Sequence, residues 1–241
     1  MKLVSFRFSG RFGHFLRAEA AKSALTYPVP PRTALLGVIG AVLGMEKDQP
    51  QSLLEPAFIA IDGRLPKTHW HKAKFRKALP EALPRVIKKN QKLRKDTKLE
   101  EATLIWQEWL FQPSYTVWAS IPGPFLSDLE QRLIERRWHF QPCLGLSEMM
   151  AELEYLGSGH ASPLPPRQYK VNSVIPQESC TLIMEKVFHD NLVVHHLLMP
   201  RKVTPGRVFE HASYFMERDG RSLPVQTHDA YEYEGRTLVF L

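Results

Sequence analysis

Basic and aromatic side chains alternate in one short stretch, HWHKAKFR at positions 69–76. Cationic side chains neutralise phosphates and flat rings stack on bases, so this mixture is typical of a surface that binds single-stranded RNA. The stretch lies in a segment from Arg64 to Lys98 that holds thirteen lysines and arginines against two acids, while the remainder of the chain holds 19 basic and 23 acidic side chains. A mildly acidic body with one basic insertion points to a polyanion, most often nucleic acid. A solvated basic loop without a partner is the simpler alternative.

Other partners and compartments fit the sequence less well. The longest apolar run, Ala34 to Met45, is too short to span a bilayer. Pro80 and Pro84 interrupt the long amphipathic helix that a membrane-surface segment needs. The N-terminus lacks the continuous apolar core of a secretory signal, and two cysteines make no disulfide framework. We therefore expect a cytoplasmic protein that has no membrane partner.

Histidines provide two further candidate sites. On a strand, His69 and His71 would lie on one side and could form half of a metal site, but no carboxylate or cysteine partner is near in sequence. His195 and His196 are adjacent, and on a strand they face opposite ways. We expect no metal and no cofactor.

A metal-free ribonuclease stays open as an alternative function. Such an enzyme needs a base that deprotonates the ribose 2′-hydroxyl and a cation that stabilises the charged phosphate. His71 beside Lys72, together with Tyr27 or Tyr115, has the required chemistry. The sequence alone does not bring these groups together.

The stretch TYPVPPRTALLGVIGAVLG, residues 26–44, predicts a second anion site. Free backbone N–H groups at the start of a helix bind anions, and Arg32 could add a bidentate contact to a phosphate. Gly37 and Gly40 would let a strand or a ligand approach the helix closely. Tight packing of the helix on a sheet is the alternative, and we favour it for Gly40 and Gly44.

The elements that position these residues alternate along the chain. Apolar periodicity predicts strands at 2–8, 57–63, 114–121 and 149–157, and helices at 31–45 and 124–137, the second with a capping box of Ser127 and Glu130. Residues 99–111 fit a short helix or a β-arm. The resulting order, β-α-β-insertion-β-α-β, is the ferredoxin-like, RRM-type arrangement.

The pattern changes at about residue 160. Four strand-like segments follow, TLIMEKVF, LVVHHLLM, RVFEHASYFM and TLVFL, with turn signals at Asp219-Gly220 and Glu234-Gly235. We predict an α+β chain with a ferredoxin-like RNA-binding domain over 1–158, whose insertion covers about 64–103, and a C-terminal β-rich region over 159–241.

The N-terminal stretch RFGHFLRAEAAKSALTYPVPPRTALLGVIGAVLG, after a first strand, resembles the signature of the Cas-five family, RAMP subunits of type I CRISPR Cascade complexes. The resemblance is specific over about residues 1–62. It extends loosely over the following elements, including PCLGLSE at 142–148, where the family has a glycine-containing segment.

The resemblance implies a function. Family members cap one end of the Cascade backbone, hold the 5′ handle of the CRISPR RNA, contact the large subunit and the neighbouring backbone RAMP subunit, and reach target DNA through the complex. A β-hairpin thumb projects from their palm between its second and third strands, where this chain has its basic insertion. Most members are not nucleases. One subtype cuts precursor CRISPR RNA with a tyrosine, a lysine and a histidine, but its adjacent Lys-His pair has no clear match here, since His71-Lys72 is the reverse order.

From the basic insertion and the family resemblance together, we predict a non-catalytic CRISPR RNA-binding subunit, with processing of precursor CRISPR RNA as the alternative. The predicted RNA contacts are of two kinds, around the helix entry and in the insertion. They are Arg17, Lys22, Tyr27, Arg32, Arg64, Lys67, His69, Lys72, Lys74, Arg76, Lys88, Lys89, Lys92 and Arg94.

Overall fold

A computed structural model describes residues 1–19, 23–76, 102–204 and 206–241, without the side chains of Arg76 and Ala102. The chain is mixed α/β and consists mostly of strands. The N-terminal elements are β1 (Lys2–Ser9), β2 (Phe12–Gly13), β3 (Phe15–Leu16), β4 (Thr26–Tyr27), α1 (Arg32–Leu43), α2 (Pro50–Leu53), β5 (Phe58–Gly63), β6 (Lys67–Arg76), β7 (Ala102–Phe111), β8 (Ser114–Ser120), α3 (Gly123–Glu135) and β9 (Glu152–His160).

The C-terminal elements are again mostly strands. They are β10 (Ser162–Pro163), β11 (Arg167–Val171), β12 (Ile175–Pro176), β13 (Cys180–Leu182), α4 (Met184–His189), β14 (Val194–Val203), β15 (Phe209–Glu217), β16 (Leu223–Thr227), β17 (Tyr231–Tyr233) and β18 (Arg236–Leu238). The predicted turn at Glu234-Gly235 connects the paired strands β17 and β18.

A four-stranded antiparallel sheet with the order β5-β8-β1-β9 forms the centre. Its four strands were all predicted from the sequence. The predicted face of β1, with Val4, Phe6 and Phe8, is fully buried against α1 and α3. On β14 and β15, Leu197, Met199, Tyr214 and Met216 belong to the same core cluster.

Two local predictions were wrong. The structure places Ser127 inside α3, which begins at Gly123 after Pro122, and no side chain caps this helix. The sequence PGP explains the earlier start, because proline fixes a helical φ in the first turn and needs no N–H there. The segment TLIMEKVF is not one strand, since β13 ends at Leu182 and a short helix follows. Val187 is the buried residue of that helix. Met184 and Phe188 are four positions apart, as residues on one side of a helix are, and both are exposed.

The three glycines of α1 have three different surroundings. Gly40 allows close contact with α2, because a Cβ there would lie 2.2 Å from Cγ of Pro50. Gly44 ends the helix in the left-handed conformation with φ of 82°. Gly37 is exposed, and a Cβ there would meet nothing within 4 Å. Close packing thus explains Gly40, although its partner is a helix and not a sheet.

Candidate nucleic-acid interface

The basic insertion begins and ends as an antiparallel pair of long strands, β6 and β7, which we call the arm. Lys67 pairs with Phe111 at its base, and the register runs without a bulge to Phe75 opposite Thr103. Over the described residues 102–111, the β-arm interpretation is confirmed and the helical one is wrong. Within the described residues, β7 lies between β6 and β2, so β6 is the outer edge of this sheet.

The arm is anchored at its base and exposed farther out. Leu110 is fully buried, whereas Leu104, Trp106 and Phe75 are each about half exposed. His14 fastens the base. Its Nδ1 donates a hydrogen bond of 2.8 Å to the backbone carbonyl of Glu108, and its ring is almost fully buried.

Alternation along the two strands gives the arm two different faces. Cross-strand partners share a face, so the pairing register assigns each side chain. The histidine face consists of Lys67, His69, His71, Trp109 and Phe111. The indole face consists of Trp70, Lys72, Lys74, Leu104 and Trp106.

Four predicted RNA contacts lie exposed on this arm: Lys67, His69, Lys72 and Lys74. The Lys72 ammonium lies 5.4 Å from the centroid of the Trp106 ring. Arg64 lies just before the arm and is 75% exposed, with an ion pair of 3.3 Å to Asp219. The structure thus brings together the cations that the sequence places in the first half of the insertion.

Other predicted contacts fall outside the described residues. Lys22, Lys88, Lys89, Lys92 and Arg94 lie in the segments that the structure does not describe, and the side chain of Arg76 is also outside it. Their RNA contacts stay predictions.

Arg32 is not available for RNA, and we remove it from the candidate interface. Its guanidinium is 5% exposed and binds Glu55 through both terminal nitrogens, while Nη2 also donates to the carbonyl of Ala57 at 2.8 Å. Burial raises the pKa of Glu55, but the hydrogen bonds from Arg32 and from the N–H of Ala57, together with the attraction of Arg32 and Lys202, hold this pKa below its usual value. The bidentate chemistry predicted for a phosphate is used on a carboxylate within the chain.

The rest of the predicted helix entry is also closed. Pro30 and Pro31 are buried, so the start of α1 does not open to an anion. Tyr27 is 3% exposed, and its hydroxyl donates to Glu19 at 3.1 Å. Arg17 is half-buried, with its Nε donating to the carbonyl of Thr26. These side chains pack together as one wall of the fold and do not form a free cationic surface.

Beside this wall runs a groove of about 930 Å³ that sequence reasoning missed. The exposed side of α1 lines it with the small residues Thr33, Gly37 and Ala41, and Tyr27 and Phe209 lie on its flanks. Gly37 is the sequence feature that could have indicated this groove, because a glycine inside a helix is unfavourable unless space is needed beside it. A Cβ at Gly37 would meet nothing within 4 Å.

Sequence reasoning also missed the indole rings as site residues. Trp106 and Trp109 are three positions apart in LIWQEWLF, which puts them on opposite faces of a strand. Once 99–111 is assigned as a strand, this spacing alone predicts one indole for each face of the arm.

The candidate metal sites have no cluster to support them. Among the residues that the structure describes, no group of three or more histidine, cysteine, aspartate or glutamate side chains could hold a metal ion. Nor does any helix in these ranges have the length and apolar character needed to cross a membrane.

Asp62, at the end of β5, is a partly buried carboxylate close to the arm. The N–H of Gly63 donates to its Oδ1 at 2.8 Å, and Nη1 of Arg236 lies 3.9 Å from its Oδ2. Burial raises the pKa of Asp62 from the usual 3.8 to about 6, because the two contacts do not compensate for lost hydration.

Stability should therefore depend on the protonation of Asp62. A pKa that is higher in the folded state means that the carboxyl adds stability below about pH 4, and that this stability is lost as the pH rises through about 6. We expect Asp62→Asn to raise the free energy of unfolding by about 2 kcal/mol at pH 7.5 and to leave it nearly unchanged at pH 4. Urea denaturation from pH 4 to 7.5 checks this.

The control is Glu152→Gln, which neutralises an exposed carboxylate on β9. It should not alter the difference between the two ends of the pH range. Equal stability of wild type and Asp62→Asn at pH 7.5 would contradict an ionised, partly buried Asp62.

Comparison with known proteins agrees with this architecture. The family model described as CRISPR-associated protein (Cas_Cas5) matches residues 3–211. No curated protein matches the sequence. A crystal structure of a CRISPR protein from Archaeoglobus fulgidus is similar with a TM-score of 0.57 at 11% identity, covering 100% of this chain and 99% of that one.

A second solved structure is a chain of a CRISPR RNA-guided surveillance complex. Its TM-score is 0.54 at 15% identity, and the likeness covers 92% of this chain and 91% of that chain. At such identities the two structures show a shared fold alone. The family match covers most of the chain and confirms the resemblance seen in the sequence: this protein belongs to the CRISPR-associated Cas_Cas5 family.

Proposed function

We propose that the protein is a non-catalytic CRISPR RNA-binding subunit of a type I Cascade complex, which holds the 5′ handle of the guide and caps the backbone. Its partners are the CRISPR RNA, the large subunit and the neighbouring backbone RAMP subunit, with target DNA reached through the complex. Family membership supports a CRISPR role. A neighbour in fold that is part of an RNA-guided surveillance complex supports the RNA and the assembly.

The sheet topology supports a ferredoxin-like palm. If β1, β5, β8 and β9 are its first to fourth strands, their spatial order is 4-1-3-2 with antiparallel neighbours, as a βαββαβ unit requires. The arm leaves the palm between the second and third strands. We therefore interpret it as the thumb.

The exposed cations of the arm carry the proposal. Three lysines and a histidine are exposed on β6, and exposed rings lie beside them on β6 and β7. No ion pair between described residues involves Lys67, Lys72 or Lys74. A solvated loop without a partner does not require rings at these positions.

The salt dependence of RNA binding tests this function. Each lysine that binds a phosphate of a single strand contributes about 0.7 to the slope of log K against log salt. Replacing Lys67, Lys72 and Lys74 with glutamine should reduce the slope by about 2 and weaken binding of the repeat RNA about a hundredfold at 0.1 M salt. Fluorescence anisotropy at several salt concentrations measures both quantities.

The matched control replaces Lys170, Lys186 and Lys202 with glutamine, which changes the net charge equally in the C-terminal part. We expect its slope to match that of the wild type. If the two triple variants behave alike, binding is a general effect of charge and the arm is not the interface.

Two observations support a subunit that does not cleave. The hydroxyl of Tyr115 donates to the carbonyl of Pro28, and burial raises its pKa well above the usual value. Burial also raises the pKa of Tyr27. Both tyrosines therefore keep their protons at neutral pH, so neither supplies the base that would take a proton from a ribose hydroxyl.

Incubation of the purified protein with repeat RNA and a chelator tests this part of the proposal. We expect intact RNA. A defined product that disappears in His71→Ala would instead show the processing ribonuclease.

A further inference from the structure

The indole face of the arm carries two tryptophans that are open to solvent. Trp70 is 46% exposed and Trp106 is 50% exposed. They occupy diagonal positions, since Trp70 pairs with Glu108 and Trp106 pairs with Lys72. Large aromatic side chains are costly to leave exposed, so two of them on one face mark an interaction surface.

The histidine face differs, because three of its rings, those of His71, Trp109 and Phe111, have ring partners within the chain. His71 stacks on Trp109, and the ring centroid of Phe12 lies 5.4 Å from that of Trp109 and 5.9 Å from that of Phe111. Among the described residues, neither Trp70 nor Trp106 pairs with another ring. The two exposed indoles therefore lie on a face where no described ring packs on another.

We propose that Trp70 and Trp106 each stack on one unpaired base of the bound RNA, while Lys72 and Lys74 bind the phosphates that join these nucleotides. This inference rests on the proposed function and specifies how the arm engages its strand. Trp106 is not among the contacts predicted from the sequence, and Trp70 entered that prediction only as one ring of the stretch HWHKAKFR.

The two indoles lie side by side on this face. Diagonal neighbours on antiparallel strands are about 7–8 Å apart, so each ring can accept a base of its own. A strand that crosses the arm can place successive unstacked bases on the two indoles. Lys72 lies 5.4 Å from the Trp106 centroid, so a phosphate attached to a base on this ring would pass within its reach.

The lysines favour RNA over a protein partner. Lysine is depleted in the centres of protein interfaces, whereas surfaces that bind single strands combine cations with rings. Both lysines of the indole face are exposed beside the tryptophans. Stacking on neighbouring base pairs hides the ring faces of bases in a duplex, so the RNA bound here is single-stranded.

An RNA oligonucleotide and its abasic counterpart of equal length separate stacking from charge. Both carry the same phosphates, but only the first carries bases. The wild type should bind the complete strand about a hundredfold more tightly. Trp70→Ala with Trp106→Ala should remove most of this preference, about tenfold for each ring, and should leave the slope of log K against log salt unchanged.

Two further variants guard against unfolding. Trp70→Phe with Trp106→Phe should regain part of the preference, because phenylalanine also stacks. Phe188→Ala removes an aromatic ring that is 72% exposed on α4, far along the chain, and should change nothing.

The results separate the inference from the function on which it rests. A double alanine variant that keeps the full preference for bases overturns the inference while RNA binding stands. Equal loss on both strands, or loss of binding to Cascade subunits with RNA affinity retained, also overturns it, the second in favour of a protein partner. If the wild type binds neither strand, the proposed function itself fails.

Discussion

Glu55→Ala is expected to lower the free energy of unfolding by about 3–5 kcal/mol. The Arg32 guanidinium is 5% exposed and has three hydrogen-bond acceptors, which are the two carboxylate oxygens of Glu55 and the carbonyl of Ala57. After the substitution, only the Ala57 carbonyl remains. An unpaired charge in the interior has lost its hydration without compensation. The N–H of Ala57 also loses its hydrogen bond to the Glu55 carboxylate. Chemical denaturation measures the change.

A second variant shows whether the charge is responsible. Arg32→Met combined with Glu55→Ala removes both partners, and replacement of a buried ion pair by apolar groups is often close to neutral. The double variant should therefore recover much of the loss. Glu154→Ala, which breaks an exposed ion pair with Arg7, should cost less than about 1 kcal/mol. A loss of this small size for Glu55→Ala would contradict a structural role of the pair.

Gly145→Ala is expected to destabilise the fold by at least about 4 kcal/mol. Gly145 has φ of 96°, and a Cβ there would lie 1.8 Å from the carbonyl oxygen of His14. The backbone fixes the position of the Cβ, and the oxygen is a backbone atom, so no side-chain rotation relieves the clash. The two segments are also joined by a hydrogen bond from the N–H of His14 to the carbonyl of Leu144.

The same substitution should disturb the arm, because His14 fastens Glu108 at its base. Thermal unfolding followed by circular dichroism measures the stability. Gly37→Ala is the matched control. Its Cβ points into open space, so it should gain up to about 1 kcal/mol from helix propensity. A Gly145→Ala variant as stable as the wild type would show that residues 142–148 do not pack as described.

Alternation and helical periodicity predicted the central sheet and both of its long helices, because the spacing of apolar residues along each element indicates which of its faces is buried. β1 is an example, with Val4, Phe6 and Phe8 on its buried face. The short helix α4 was missed, since six residues with one buried position carry little periodic signal. The boundary at 158–159 stays a prediction.

For the site, composition identified the arm but not the function of each residue in it. Arg32 binds a carboxylate because Glu55, 23 positions away, folds against it. The local sequence around Arg32 does not indicate this contact. Whether a ring of the arm packs on another ring likewise depends on residues far away in the sequence. Phe12, on β2, packs on Trp109. Long-range pairing decides both questions.

The outer position of β6 affects how copies of this protein meet. Among the described residues, no strand pairs with the outer side of β6, so its ten residues of backbone are a template on which a strand of another molecule could add. Lys67, Lys72 and Lys74 oppose this growth, because antiparallel association of two such strands would confront like charges. The lysines that we propose as RNA contacts would thus also protect the free protein from polymerising through its own edge.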